Sequence, residues 1–335
     1  QFNMTRSHFT SDHNRSGFAG SFNTVAEDST ISVVNSTGNG SNGSNFTFIR
    51  CKVDFSDNVS HGLSAGTLII DDSTVTTNRN GGNGIHTSGA LTIQNGSNVT
   101  VTGNECTISS QWTIPGAVHI GSGDSSISGS TVVIADNNGS GLFQKAAAGT
   151  LTIDDSAAVT VTGNATAKCN TGISNDAESF GGGIYANGKV SLGSGVTLYN
   201  NHAVTGGDDI YCAATGSVTF ARTQDSWKLD GQKLTGFADD GAPLYQVDDC
   251  TDTIDGWYDD SKNARSYDGI HVKEHTFDGA TTTVTGPLAL KAAHGLGVVA
   301  VDPADITIYM GGDEGYEGTA TSGGTIAGSN SLPEP

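Results

Sequence analysis

The sequence predicts an all-β protein, specifically a parallel β-helix (solenoid) with N- and C-terminal capping segments. The first observation is a repeat of small residues, an aliphatic side chain, a turn, a short strand, a second turn and a strand ending near Asn. Repeats this short, with three strand-like pieces and variable insertions, are typical of solenoids of stacked coils. Six aliphatic positions mark the repeats: Leu63, Ile85, Val118, Leu142, Ile184 and Ile210.

The second observation is strand alternation. In the run TLTID at 150–154, Leu and Ile alternate with Thr, which gives one apolar and one polar face. Parallel stacking would align equivalent positions about 4.8 Å apart. We therefore expect two inward columns, one of Leu68, Leu91, Leu151, Val190 and Val218, and one of Ile85, Val118, Leu142, Ile184 and Ile210.

The third observation is composition, because 47 glycines and only 7% aromatic residues suit a narrow coil interior.

The chain divides into four predicted segments. Residues 1–60 form an N-terminal cap and the first coils, although the polar run 39–45 is expected to be a loop. Residues 61–220 form the regular coils, with projecting loops at 105–115 and 165–180. Residues 221–300, richer in aromatic and acidic residues, hold the final coils and the C-terminal cap. Residues 301–335 form a last strand and a linker to a following domain.

Charge and cysteine usage exclude several classes of partner. The net charge of −20 argues against nucleic acid and anionic membrane surfaces, which are polyanions. No apolar run reaches the roughly 18 residues of a membrane-spanning helix, so this segment is not expected to insert into a membrane. Five widely spaced cysteines give neither a disulfide framework nor a zinc pattern. They are expected to be small buried hydrophobic residues, and one or two bridges between coils remain open.

Two sets of residues recur in register. Asparagines recur at the end of the third strand of the coils, where stacked amides can bond to one another and to turn backbone; they are Asn58, Asn78, Asn104, Asn138, Asn164 and Asn201. Rings follow the aliphatic anchors, so that strand alternation turns them outward; they are His86, His119, Phe143, Tyr185 and Tyr211. An open row of rings would suit a sugar chain or another protein. The alternative, which the residues favour, is that loops cover the rings, so that the rings serve packing and bind no ligand. Trp257 and Tyr258 form a second candidate patch.

The acidic residues are the candidates for catalytic groups and for metal ligands. Asp71-Asp72 and Asp154-Asp155 share one slot of the repeat, but runs of this DDS type cap turns, so no catalytic residue is assigned. No cofactor is expected except calcium, which oxygen ligands in loops would suit. The candidate calcium positions are Asp208, Asp209, Asp255, Asp259 and Asp260.

The starts and ends of the repeats carry a resemblance. GGGIY at 181–185 and FSDN at 55–58 resemble the repeats of polymorphic outer-membrane proteins and autotransporter adhesins, whereas VTGN at 101–104 departs from the Phe of that pattern. The run CTDTIDGWYDDSKNARSYDG at 250–269 is similar to repeat-rich, cell-wall-anchored adhesins of Gram-positive gut bacteria. The resemblance implies a right-handed β-helix exposed on a bacterial cell surface, and adhesion as its role.

The expected function is therefore an adhesin-like binding module, a monomeric part of a longer chain, that recognises an extracellular glycan or glycoprotein. Two alternatives stay open. One is a carbohydrate-active enzyme, either a glycoside hydrolase or a polysaccharide lyase, built on a β-helix. The other is a structural stalk or spacer without a ligand.

Overall fold

The computed structural model describes residues 1–15, 17–105, 116–166, 180–199, 201–203 and 207–221, and beyond these only the backbone of separate short strands. The described chain is a parallel β-solenoid of about eight turns. Each coil contributes to two sheets, and each strand pairs with its equivalent in the coils before and after it.

The first sheet changes character along the axis. The first four coils each supply one strand: β1 (Phe2–Thr5), β3 (Phe18–Glu27), β5 (Ser41–Ile49) and β7 (Leu63–Asp71). Later coils supply two short strands each: β9 (Ile85–Thr87) and β10 (Leu91–Gln94), β12 (Val118–Ile120) and β13 (Asp124–Ile127), β15 (Leu142–Gln144) and β16 (Thr150–Ile153), β18 (Ile184–Ala186) and β19 (Lys189–Leu192), β21 (Ile210–Cys212) and β22 (Ser217–Ala221). β7 links the coils with one long strand to those with two short strands, because it pairs with both β9 and β10.

The second sheet contains one strand from each of eight coils, all parallel and in sequence order. Its strands are β2 (His8–Asp12), β4 (Thr30–Val34), β6 (Lys52–Asp54), β8 (Thr74–Asn78), β11 (Asn98–Thr102), β14 (Thr131–Ala135), β17 (Ala158–Thr162) and β20 (Val196–Tyr199). Valine and isoleucine point inward from alternate positions and meet the inward residues of the first sheet.

Both predicted inward columns are confirmed. Leu63, Ile85, Val118, Leu142, Ile184 and Ile210 are paired in consecutive coils. The second column runs Leu68, Leu91, Ser125, Leu151, Val190 and Val218, so one coil places a serine among the aliphatic residues. Ser125 is tolerated there because its Oγ accepts the Leu91 backbone N–H at 2.9 Å.

The expectation of a loop at 39–45 is wrong, because β5 begins at Ser41. Asn45 is satisfied by neighbouring coils: its Oδ1 accepts from the Thr67 backbone N–H at 2.9 Å, and its Nδ2 donates to Asn23 Oδ1 at 2.8 Å. Parallel stacking thus supplies polar outward residues with partners on both sides. A polar run is therefore compatible with a strand in this fold.

The turns between the two sheets hold non-glycine residues in the left-handed region. Arg6, Asp28, Arg50 and Asp72 have φ between 46° and 51°. In this conformation their N–H groups continue the parallel bonding, as Asp28 does by donating to the Ile49 carbonyl at 3.0 Å. Arg50 also donates from Nε to Asp28 Oδ1 at 2.7 Å.

After β22, strands reverse direction. β28 (Thr281–Thr285) pairs antiparallel with β22, and β29 (Leu288–Ala293) pairs antiparallel with β21. The remaining strands are β23 (Leu234–Phe237), β24 (Pro243–Tyr245), β25 (Gly256–Asp259), β26 (Ile270–His271), β27 (His275–Phe277), β30 (Gly297–Val299), β31 (Thr307–Met310), β32 (Thr319–Thr321) and β33 (Thr325–Ala327). The segment boundaries predicted for 221–335 stay predictions.

Several other expectations concern residues that the structure does not describe. The insertions expected at 105–115 and 165–180 fall mainly on such residues, as do Cys106, Cys169 and Cys250. Cys51 and Cys212 are buried, as expected of small hydrophobic residues. Within the described residues no helix is long and apolar enough to cross a membrane.

Candidate functional site

The ring residues predicted from the repeat lie one above the next. His86, His119, Phe143, Tyr185 and Tyr211 occupy the same position in β9, β12, β15, β18 and β21 and are paired in register. Ring centroids of neighbours are 4.8, 5.6, 4.4 and 5.4 Å apart, and the planes differ by 12° to 29°. We call these five rings, with His61 and Phe180 at the ends, the ring stack. The spacing of the coils sets the spacing of the rings.

The faces of these rings are covered. His119 is 1% exposed, Phe143 5% and Tyr185 9%, while His86 and Tyr211 are half-buried. Strand alternation does turn them away from the aliphatic interior, and Phe143, Tyr185 and Ala213 form a separate apolar cluster. A sugar ring stacks on an open aromatic face, and here each inner face meets another ring. The exposures thus favour packing, and any ligand of this row would have to contact ring edges.

Sequence reasoning missed the two end members of the stack. His61 stacks on His86 with centroids 5.4 Å apart, and Phe180 stacks on Tyr211 at 4.2 Å. Neither occupies the ring position of its coil: Ser64 pairs with His86 in the register. The sequence feature that could have indicated His61 is the small residue Ser64, which pairs with His86 and leaves space beside it. The ring of His61, from the preceding turn, stacks on His86 there.

Burial keeps the three histidines of the stack neutral. Burial first, then His86, lowers the pKa of His61 to about 4, and its Nδ1 accepts the Asn83 backbone N–H at 3.0 Å. Burial and then Lys145 lower the pKa of His86 to about 4, and its Nδ1 lies 3.2 Å from Ser64 Oγ. Burial, then His86 and Lys145, hold the pKa of His119 well below its usual value. Neither ring nitrogen of His119 has a hydrogen-bond partner.

The predicted asparagine ladder exists, with two members corrected. The buried ladder is Asn58, Asn80, Asn104, Asn137, Asn164 and Asn201. In each step the Nδ2 and the backbone N–H of one asparagine both donate to the Oδ1 of the next, with Nδ2 distances of 2.8 to 3.0 Å. The predictions of Asn78 and Asn138 were wrong. Asn78 is the last residue of β8, two positions before the ladder residue Asn80 in the turn, and Asn138 lies one position after the ladder residue Asn137. Asn78 instead accepts from Thr102 on the outer surface.

The ladder explains the glycine that precedes most aliphatic anchors. A Cβ on Gly84 would lie 2.7 Å from Asn104 Nδ2, and a Cβ on Gly141 would lie 2.8 Å from Asn164 Nδ2. Gly183 stands in the same relation to Asn201, at 2.9 Å. The two recurring residue types of the repeat are therefore packing partners, since the amide fills the space that a side chain would need.

The described acidic candidates bond to protein groups. Asp208 Oδ1 accepts the Ala203 backbone N–H at 2.9 Å and lies 3.2 Å from His202 Nδ1. Asp209 Oδ1 accepts from Asn201 Nδ2 at 3.1 Å, which places it at the end of the ladder. In the described part of the chain, no group of three or more His, Cys, Asp or Glu could hold a metal ion. Asp255 and Asp260 lie outside it, and for Asp259, Trp257 and Tyr258 only the backbone of β25 is described. Calcium at these positions stays a prediction.

Of the paired aspartates, Asp154 caps a turn as expected, whereas Asp71 bonds to side-chain amides of the next coil. Asp71 accepts from Gln94 Nε2 at 2.8 Å and from Asn95 Nδ2 at 2.9 Å. Asp154 Oδ1 accepts the Ser156 backbone N–H at 2.9 Å. Their oxygens thus bind the chain of their own or the next coil.

The outer surface of the second sheet is the largest regular feature that the sequence reasoning did not single out. Outward positions of β8, β11, β14, β17 and β20 carry no Asp, Glu, Lys or Arg. Rows run along the axis about 4.8 Å apart, and successive outward residues of one strand are about 6.8 Å apart. We call this surface the hydroxyl face; its threonines are Thr74, Thr76, Thr100, Thr102, Thr131, Thr160, Thr162 and Thr197, each half-buried or exposed. The first sheet differs, because its outward positions include Asp71, Asp124 and Lys189.

Comparisons of this chain with protein-family models, with curated proteins and with solved structures find no match. The geometry of the solenoid and its surfaces therefore carries the functional argument.

Proposed function

We propose that this chain is an adhesin-like binding module of a bacterial cell-surface protein, which presents the hydroxyl face to an extracellular glycan or glycoprotein. The observation that carries the proposal is this face: an uncharged, threonine-rich surface that spans five coils of a chain with net charge −20. The cell-surface location rests on the resemblance of the repeats.

The physical argument concerns cooperation between weak contacts. A threonine hydroxyl can donate and accept a hydrogen bond, although that of Thr102 already donates to Asn78 Oδ1. A neutral polyhydroxylated chain can meet several coils at once. The strands that carry the hydroxyls are fixed on both sides by parallel pairing, from β8 through β17. Little ordering entropy is then lost on binding, and repeated contacts add avidity.

The test is a glycan array together with binding to soluble mucin and bacterial polysaccharides. The double variant Thr100→Arg/Thr160→Arg places two long cations on the hydroxyl face. The matched control, Thr92→Arg/Thr152→Arg, makes the same change on the outward row of the first sheet. We expect at least tenfold weaker binding for the first variant and unchanged binding for the control. Equal loss in both variants, or cleavage of a bound glycan, would contradict the proposal.

A structural spacer without a ligand is the second candidate. The covered ring stack favours it, because the row expected to contact a ligand is used for packing between coils. A blank glycan array from a folded protein, with small-angle scattering that shows a stiff rod, would support the spacer against the binding module.

A further inference from the structure

The three histidines of the ring stack form an uninterrupted column in the middle of the solenoid. His61 precedes β7, His86 lies in β9 and His119 in β12, and neighbouring centroids are 5.4 and 4.8 Å apart. We call these three residues the histidine triad. Stacked at coil spacing, three imidazoles can share a column when neutral, but three imidazolium ions would repel one another.

Among the described residues no anionic group acts on the triad, and the one contact that favours a proton there is the Thr87 backbone beside His119. The charged group that acts on the triad is Lys145, which follows β15 and is itself a cation. Towards the later coils the next ring is Phe143, and beyond it lies Tyr185, whose pKa is raised by burial. The other polar neighbours are the Asn83 N–H, Ser64 Oγ and the Thr87 backbone.

Hydrogen bonding at His61 also depends on the neutral form. Its Nδ1 accepts the backbone N–H of Asn83, a residue that is 2% exposed. Protonation of Nδ1 would replace this acceptor with a second donor, so the bond would be lost. The buried N–H would then face a proton rather than a lone pair.

We propose that the histidine triad is an acid-sensitive device: proton uptake at His61, His86 and His119 opens the stack between the fourth and sixth coils. The inference is independent of what the hydroxyl face binds. It predicts a module that is rigid in neutral surroundings and loosens in acidic ones.

The direction follows from proton linkage. The histidine pKa values fall from 6.5 in the unfolded chain to about 4 in the fold for His61 and His86. Between these values the unfolded chain binds more protons, so stability is complete above pH 6.5 and is lost as pH falls towards 4. From pH 7 to pH 5, each of these two histidines should lower the ratio of folded to open chain by about 20-fold.

The test uses urea unfolding of the whole chain, followed by circular dichroism at pH 7, 6 and 5. The variant is His86→Phe/His119→Phe, because Phe143 shows that phenylalanine fits the same position one coil later. The control is His13→Gln, which removes an exposed histidine. We expect the midpoint of the wild type and the control to fall steeply with acid, and that of the double variant to fall much less.

Nuclear magnetic resonance of the wild-type histidine ring protons gives a second reading that does not depend on the variant folding. The ring protons of His61, His86 and His119 should show neutral imidazoles at pH 5. Titration of these three rings near 6.5, or identical acid sensitivity in the wild type and a folded double variant, would overturn the proposal.

Discussion

Removal of one rung from the asparagine ladder gives the sharpest test of what holds the coils together. Asn104 is 1% exposed and lies in the middle of the ladder. Its Nδ2 donates to the Thr77 carbonyl at 2.8 Å and to Asn137 Oδ1 at 2.9 Å. Its Oδ1 accepts from the Asn80 backbone N–H at 3.1 Å and from Asn80 Nδ2 at 2.9 Å. The change Asn104→Ala deletes all four bonds.

The size of the effect follows from these contacts. A buried hydrogen bond contributes about 1 kcal/mol net, and a buried group left without its partner costs about 1–3 kcal/mol. Four bonds give a loss of about 4 kcal/mol, part of which is the buried N–H of Asn80 left without its acceptor. Water entering the vacated space would reduce the loss towards about 2 kcal/mol.

The assay is urea unfolding at pH 7, with the free-energy change taken from the midpoint and slope. The matched control is Asn78→Ala, two residues before the ladder position Asn80 and half-buried. It removes two half-buried bonds from Thr102, which water can replace in part, so about 1 kcal/mol in total is expected. If Asn104→Ala and Asn78→Ala cost the same, the ladder would not be the source of stability that the geometry indicates.

Three further substitutions test the packing, each by the same urea titration. Gly84→Ala should cost about 1–3 kcal/mol, because its Cβ would meet the Asn104 amide of the ladder and the Val101 methyl. The sixth coil already has Ala117 before its anchor, so the control Ala117→Gly should change stability by less than 1 kcal/mol. An equal cost in both variants would refute the steric argument. Leu151→Ala should cost about 2–5 kcal/mol, since the side chain is fully buried in an inward column, and a cost below 1 kcal/mol would contradict that position. Arg79→Ala should cost under about 1 kcal/mol at low salt and nothing measurable at 1 M salt, because its ion pair with Asp57 is exposed; a large salt-independent loss would show another role.

Several features could be predicted because they depend on local rules that every coil repeats. Alternation in each strand fixes which side chains point inward, and parallel pairing of the strand after each anchor brings Leu91 and Leu151 into one column. The turn before that strand varies in length, because Leu91 lies six positions after Ile85 and Leu151 nine positions after Leu142. The ring row was predicted in the same way, with its members in the correct order. What stacks on the row was not, since His61 and Phe180 come from turns whose path the alternation does not specify.

The ladder shows where such reasoning ends. Asn104 and Asn164 were predicted correctly, but Asn78 was predicted in place of Asn80, and Asn138 in place of Asn137. The amide that points inward is selected by the turn geometry and by the space above a glycine such as Gly84. Those are distances across coils, since Gly84 and Asn104 are 20 positions apart in the chain and Asn80 and Asn104 are 24 apart.

The sequence by itself determined that this chain is a parallel solenoid and which aliphatic residues line its interior, because strand alternation and repeat spacing are properties of consecutive residues. The tertiary structure decided which asparagines form the ladder, and that the ring row is covered and its histidines are held neutral. Burial and stacking depend on what the neighbouring coils place against each side chain, and that information is not local to any stretch of the chain.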